Sequence, residues 1–232
     1  MVIRVVVLGG RGGGQVVAES VKRLQTGGST HELIGFLNDH IPAGSCELGA
    51  PVLGTLDAWR DVPPALRFIA PLHKVKQMPW RARRIRSLEI PEQRWVNIID
   101  PRACVASTAN VVGHGVHVDA LATVQPGACI GRHVAVRAGA VVGHDATLGD
   151  FCFVGANATM AGYVRLEDGV HVAMNACVRE RVSVGRYAVI GLGAVVVQDV
   201  PAGAIVAGNP ARQVGEIDAR DDTGDAVFDA VR

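Results

Sequence analysis

The residues of this chain best suited to chemistry are a histidine followed at once by an aspartate, within Gly143-His144-Asp145-Ala146-Thr147-Leu148-Gly149. An imidazole that titrates near neutrality can take a proton from an amine or hydroxyl as that atom attacks a thioester. A carboxylate beside it can hold the required tautomer and stabilise the cation that forms, while neighbouring backbone N–H groups stabilise an oxyanion. A second candidate is the run Gly9-Gly10-Arg11-Gly12-Gly13-Gly14, between an apolar stretch at 2–8 and a helical pattern at 15–24. Strand, glycine turn and helix place N–H groups at a positive helix end that favours phosphate, but the same pattern also reads as a tight βα connection. A third is Asn38-Asp39, after the apolar run at 33–37. An acid there can take a ribose hydroxyl, or be an ordinary polar strand end.

The element that must position His144 is a repeat. From Val112 through Val118 and Val124 to Ile190 and Val196, every sixth residue is large and aliphatic, which gives (196 − 112)/6 + 1 = 15 positions. Four residues after each stands Ala, Val or Cys, from Val116 to Val200. Six residues advance an α-helix by about 600°, so these positions form no stripe and a helix is excluded. The spacing of two from small to large is a strand period, and the remaining four residues make a corner. Glycine follows the large residue at 113, 131, 143, 149, 155, 185 and 191, which reads as corners using positive φ. Such short strands bury an apolar face only by stacking into a solenoid, and the pattern predicts no interruption. His144 then falls on an outward corner. His114 occupies the same place in an earlier unit, so position alone does not distinguish it.

Composition narrows the class. The 232 residues are 49% hydrophobic and 4% aromatic with 28 glycines, as expected for small aliphatics in tight coils. A net charge of +1 gives no reason to expect nucleic acid. Five cysteines without a CxxC spacing argue against a metal or disulfide framework, and Cys152, on the inward series, reads as a buried hydrophobe. The opening apolar run is too short for a membrane span, so a cytoplasmic protein is expected. With short elements at 51–56 and 67–70, residues 1–95 read as a truncated Rossmann-like α/β domain, suited to a mononucleotide better than to NAD. Arginines 81, 83, 84 and 86 suggest either a phosphate-binding patch or a solvated helix face. The solenoid is expected over 96–212, closed by Gly208-Asn209-Pro210-Ala211-Arg212. Residues 213–232 are expected to form a short helix or to be disordered.

The hexads, the glycine-rich start and the Gly35-Phe36-Leu37-Asn38-Asp39 strand end together resemble the hexapeptide-repeat sugar O- and N-acetyltransferases of the sialic-acid and bacillosamine type. The resemblance covers about residues 2–212. It implies a left-handed parallel β-helix with three hexads per coil, and a homotrimer with active sites between subunits. It further implies transfer from acetyl-CoA, as co-substrate and with no cofactor, to an amino group, or less readily a hydroxyl, of a nucleotide-linked sugar. His144 would be the base and Asp145 its orienter. Gly10, Gly12, Gly13, Gly14, Asn38 and Asp39 would hold the nucleotide sugar, and Phe153, Gly162, Asn209 and Pro210 would meet acetyl-CoA. The chain departs from the pattern at Gly13 and Phe153, where members often carry His, and at Gly143, where Asn is frequent. The rival expectations are an acetyltransferase for a small non-nucleotide acceptor and a non-catalytic trimeric scaffold.

Overall fold

The computed structural model describes residues 2–217. It begins with strand β1 (Ile3–Leu8), helix α1 (Gly13–Thr26) and strands β2 (His31–Leu37), β3 (Cys46–Glu47), β4 (Ala50–Gly54) and β5 (Arg67–Ile69), then helix α2 (Met78–Ser87). The sheet order is β3-β4-β2-β1-β5, parallel except for the β3–β4 hairpin. β1 is an interior strand, between β2 and β5, and Val5, Val6, Val7 and Leu8 are fully buried, which is why it reads as an unbroken apolar run. α1 returns the chain from β1 to its parallel neighbour and buries Val17, Ala18 and Val21.

From Ile98–Ile99 to Val195–Val196 the chain makes two-residue strands that join three parallel sheets in rotation. Each residue lies beneath its counterpart one coil on: Thr123 pairs with Val141, Val141 with Thr159 and Thr159 with Cys177. The repeat is therefore 141 − 123 = 18 residues. The interior is the two inward series, from Val116 and Val118 to Val196 and Val200, none more than 6% exposed. Its burial contributes about 25 cal/mol per Å² of apolar surface removed from water.

Two expectations about this repeat need correction. Val112 is not inward: it is 63% exposed, and Val111 takes the core position. The first coil holds one extra residue, since Cys104 pairs with Thr123, an offset of 123 − 104 = 19. The inward series thus reaches back to the strand Ile98–Ile99, within the expected 96–212, and one insertion near 112 shifts its frame.

The glycines after the large residues are not at positive φ. A Cβ on Gly143 would lie 2.5 Å from the Ala161 carbonyl carbon, and one on Gly155 2.6 Å from the Met174 nitrogen. Close approach of successive coils explains them. Positive φ falls two residues later, at Gly115, Leu121, Gly127, His133, Gly139, Asp145, Phe151, Asn157, Tyr163, Gly169, Asn175, Arg181, Tyr187 and Gly193, all between 55° and 72°. From Leu121 on, these left-handed residues, whatever their side chains, bond the corner carbonyl one coil below through their N–H at every position except Gly127, as Tyr163 N does to His144 O at 3.0 Å.

The arginine run on α2 divides: Arg83 and Arg86 are exposed, as a solvated face requires, whereas Arg84 is half-buried and Arg81 is buried. Arg81 is 1% exposed and donates to the carbonyls of Phe151 (2.9 Å), His133 (2.7 Å) and Ala70. Burial lowers its pKa to about 9. Arg86 lies over the Phe151 ring, and Arg84 pairs with Asp39 and Asp57. α1 docks on the solenoid through Ser20 with His117, and through Arg23 with Asp100 and Asp119. The expected tail also begins differently: Arg212–Glu216 is a strand antiparallel to Ala204–Ala207, capping the last coil, and 218–232 lie outside the described residues. Cys152 is fully buried, its thiol pushed up to about 12. Among the described residues no helix is long and apolar enough to cross a membrane.

Two stability predictions follow from this packing. Burial holds His171, His117 and His133 near pKa 4, 3 and 2, below the ordinary 6.5. The unfolded chain binds protons first, so stability is full above about pH 6.5 and falls with pH, by up to about 1.4 kcal/mol per pH unit for each histidine. Urea midpoints should drop between pH 7 and 5, and His171→Phe should flatten that slope. Gly155→Ala should cost about 1–3 kcal/mol by the same urea assay, because the methyl meets backbone that cannot retreat.

Candidate active site

His144 and Asp145 form the corner after the strand Val141–Val142. Ala146 N–H closes the turn onto Gly143 O, and Gly143 N–H bonds Met160 O in the coil above. Asp145 adopts φ 55°, a conformation that Asp tolerates better than most residues, with its N–H on Pro126 O at 3.0 Å. The backbone N–H of His144 donates to Gln125 Oε1 at 3.0 Å, so the coil below anchors the corner.

The two side chains meet as their chemistry requires. His144 Nδ1 lies 3.0 Å from Asp145 Oδ2, and the side chains are 52% and 48% exposed. A Nδ1–H donated to the carboxylate leaves Nε2 with its lone pair. Glycines make room on both sides: a Cβ on Gly127 would sit 2.3 Å from Asp145 Oδ1, and one on Gly162 2.5 Å from His144 Cε1 and Nε2. The Tyr163 ring stands at 87° to the imidazole with centroids 5.0 Å apart, and the Arg181 guanidinium lies 4.8 Å over Tyr163. Gln125 and Tyr163 escaped sequence reading, as did the place of Arg181 over Tyr163. The signal was the coil offset, since 163 − 145 and 181 − 163 are both the 18 residues that separate paired strands.

His114 is not an equivalent corner. It stacks near Trp95 at 11° beneath the N-terminal unit, next to His133, and Gly115 follows it in place of an acid. Burial lowers its pKa.

The residues expected at the nucleotide sugar gather at the carboxyl ends of β1 and β2. Gly12, at φ 75°, caps α1, and a Cβ there would meet nothing within 4 Å, so the turn is open. A Cβ on Gly13 would lie 2.7 Å from Pro71 O, and one on Gly10 2.5 Å from Asn38 Nδ2. Asn38 Oδ1 accepts from the N–H groups of His40 and Ile41. Asp39 Oδ1 accepts from Leu56 N–H at 2.8 Å, and Oδ2 faces Arg84, so both oxygens already have protein partners. A cleft of about 310 Å³ opens beside Asn38, Asp39 and Thr55, and another of about 520 Å³ lies between Gly12, Gly13 and the solenoid residue Arg137.

The four residues expected at acetyl-CoA do not gather. Gly162 lies against the imidazole. Phe153 belongs to another sheet, stacked on His171 at 4.6 Å and beside His73 at 4.9 Å, so within one chain it does not share the edge of His144. Asn209 and Pro210 are exposed in the turn before Arg212–Glu216, beside Val195, which bonds Gly208 O and Ala211 N. Among the described residues no group of three or more His, Cys, Asp or Glu is placed to hold a metal.

Known proteins agree with this architecture. No family model matches the chain. It is similar to the acetyltransferase domain of PglB from Neisseria gonorrhoeae FA1090, solved with acetyl coenzyme A, at TM-score 0.79 and 31% identity over 92% of this chain and 100% of that one. It is also similar to PerB from Caulobacter crescentus, solved with CoA and GDP-perosamine, at TM-score 0.75 and 30% identity over 93% of this chain and 99% of that one. A curated relative, the 2,3,4,5-tetrahydropyridine-2,6-dicarboxylate N-acetyltransferase of Staphylococcus aureus, is 43% identical over 72 residues, 31% of this chain and 30% of its own length. The first two likenesses run the length of the solved chains, through the α/β unit as well as the repeat. The chain belongs to the hexapeptide-repeat sugar acetyltransferase family.

Proposed function

We propose that this enzyme moves the acetyl group of acetyl-CoA to an amino group, or less readily a hydroxyl, of a nucleotide-activated sugar. The observation that carries the reading is the 3.0 Å contact of His144 Nδ1 with Asp145 on an open edge of the solenoid. The acceptor amine attacks the thioester carbonyl while His144 Nε2 takes its proton. The C–S bond breaks, and the proton passes to the departing CoA thiolate. Asp145 holds the tautomer and stabilises the imidazolium. Transfer is direct, and no cofactor takes part.

Residues 1–95 are read as a Rossmann-like nucleotide-sugar domain, and 96–212 as a left-handed β-helix. Gly10, Gly12, Gly13, Gly14, Asn38 and Asp39 line the sugar-nucleotide site, with Gly12 its open element. The PerB complex with GDP-perosamine supports this assignment. Acetyl-CoA runs up the face from His144 towards Asn209 and Pro210. These stand at the level of Val195, which is 195 − 141 = 54 residues or three coils above Val141, roughly 14 Å at about 4.8 Å per strand. The active assembly is a homotrimer in the cytoplasm. The exposed side chains of Leu121, Met174 and Leu192, which share one edge, support association. The Staphylococcus relative favours a second reading, a small acceptor such as a dicarboxylate, with the N-terminal unit only packing. Calorimetric titration with UDP- and GDP-sugars separates the two, since absence of binding leaves the small acceptor ahead.

His144→Ala should lower kcat roughly 100- to 10,000-fold with acetyl-CoA binding kept, and unchanged turnover removes the base assignment. Asp145→Asn should lower kcat at least roughly tenfold. Nitrogen NMR of the imidazole should then show the Nδ1–H tautomer losing population.

A further inference from the structure

We propose that Gly162 and Tyr163 form a slot that fixes the imidazole of His144, which makes them positioning residues for proton transfer. This rests on the reading of His144 as the base and assigns Gly162 a role other than contact with acetyl-CoA.

The imidazole is tethered at one end only. Nδ1 is held by Asp145, but one hydrogen bond between two half-exposed side chains leaves the ring free to swing about it. The next coil supplies the missing constraints. Gly162 leaves the space that Cε1 and Nε2 fill, so the ring lies against backbone there. Tyr163, directly above Asp145, stands perpendicular to the ring at 5.0 Å and closes one side. Such edge-to-face contacts prefer one orientation over a sliding one. Tyr163 is itself pinned. Its backbone turns at φ 61° with N–H on His144 O, and Arg181 from the coil above covers its ring at 4.8 Å. Arg181, Tyr163, His144 and Asp145 therefore form a continuous side-chain ladder along one edge, ending on the group that moves the proton. A general base misplaced by about 1 Å can lose roughly 100-fold in rate, so a slot of this kind governs turnover without touching substrate.

The decisive variant is Gly162→Ala. The residue is not at positive φ, and the atoms its methyl would meet belong to a side chain that can rotate away, so the fold is kept and only the imidazole is displaced. The expected result is a kcat lower by roughly 30- to 100-fold, an unchanged KM for acetyl-CoA and an unchanged Tm, with altered ring nitrogen shifts for His144. Tyr163→Ala should lower kcat and broaden those shifts, and Tyr163→Phe, which keeps the ring, should restore both. A raised KM for acetyl-CoA with kcat retained in Gly162→Ala would overturn the slot in favour of a co-substrate contact. His144→Ala measured in parallel separates the two levels. If it abolishes turnover while Gly162→Ala and Tyr163→Ala leave kcat and the ring shifts untouched, the slot is wrong and the base stands. If His144→Ala turns over normally, the base assignment fails and takes the catalytic role of the slot with it.

Discussion

Everything in the solenoid depends on the vertical alignment of residues 18 apart. Strands of two residues carry too few hydrogen bonds to persist alone, and each is held by the pair above and below it. The same alignment forbids a Cβ after many large inward residues, since the coils touch there backbone to backbone. It also accounts for the left-handed residues from Leu121 on, whose N–H groups, Gly127 apart, reach down to the preceding coil. The core is thus built from aliphatic side chains, one large and one small in each unit, with aromatic rings confined to the corners and the outer faces.

That alignment also assembles the site. Gln125, His144 with Asp145, Gly162 with Tyr163, and Arg181 come from four successive coils, yet they touch because the edge stacks them. Sequence distance is irrelevant, and coil number is what counts. The N-terminal unit reaches the solenoid by other means. Arg81 brings a buried guanidinium to carbonyls of Phe151 and His133, and α1 brings Ser20 and Arg23 to His117, Asp100 and Asp119. A buried cation bonded to carbonyls alone gains no opposite charge, so what it contributes is orientation more than stability.

The repeat was legible in the sequence because burial writes itself as period: Val118 to Val196 all point inward. Val112 misled because an extra residue at the first coil keeps the six-residue count in the letters while shifting the frame in space. The glycines were identified correctly and explained wrongly, since a letter does not distinguish positive φ from close approach. The arginines of α2 were unreadable for a related reason: a guanidinium bonded to carbonyls of distant residues leaves no pattern near Arg81 itself. The His144-Asp145 pair was visible as neighbours, but its floor and wall, Gly162 and Tyr163, come into view only when the sequence is wrapped into coils. For Asp39 the residue type suggested a ligand, and its contacts with Leu56 and Arg84 were not legible because they come from distant segments.

The uniform corner has a consequence for how such an enzyme can vary. Because the coils are equivalent in backbone, one inserted between the Arg181 corner and the Asn209-Pro210 turn would leave the geometry at both ends unaltered. The separation of the two ends then changes in fixed steps of about 4.8 Å, one strand spacing at a time. The edge works as a graduated scale: the reach between the reacting group and the rim is an integer count of coils, adjustable by duplication and independent of the chemistry at its base.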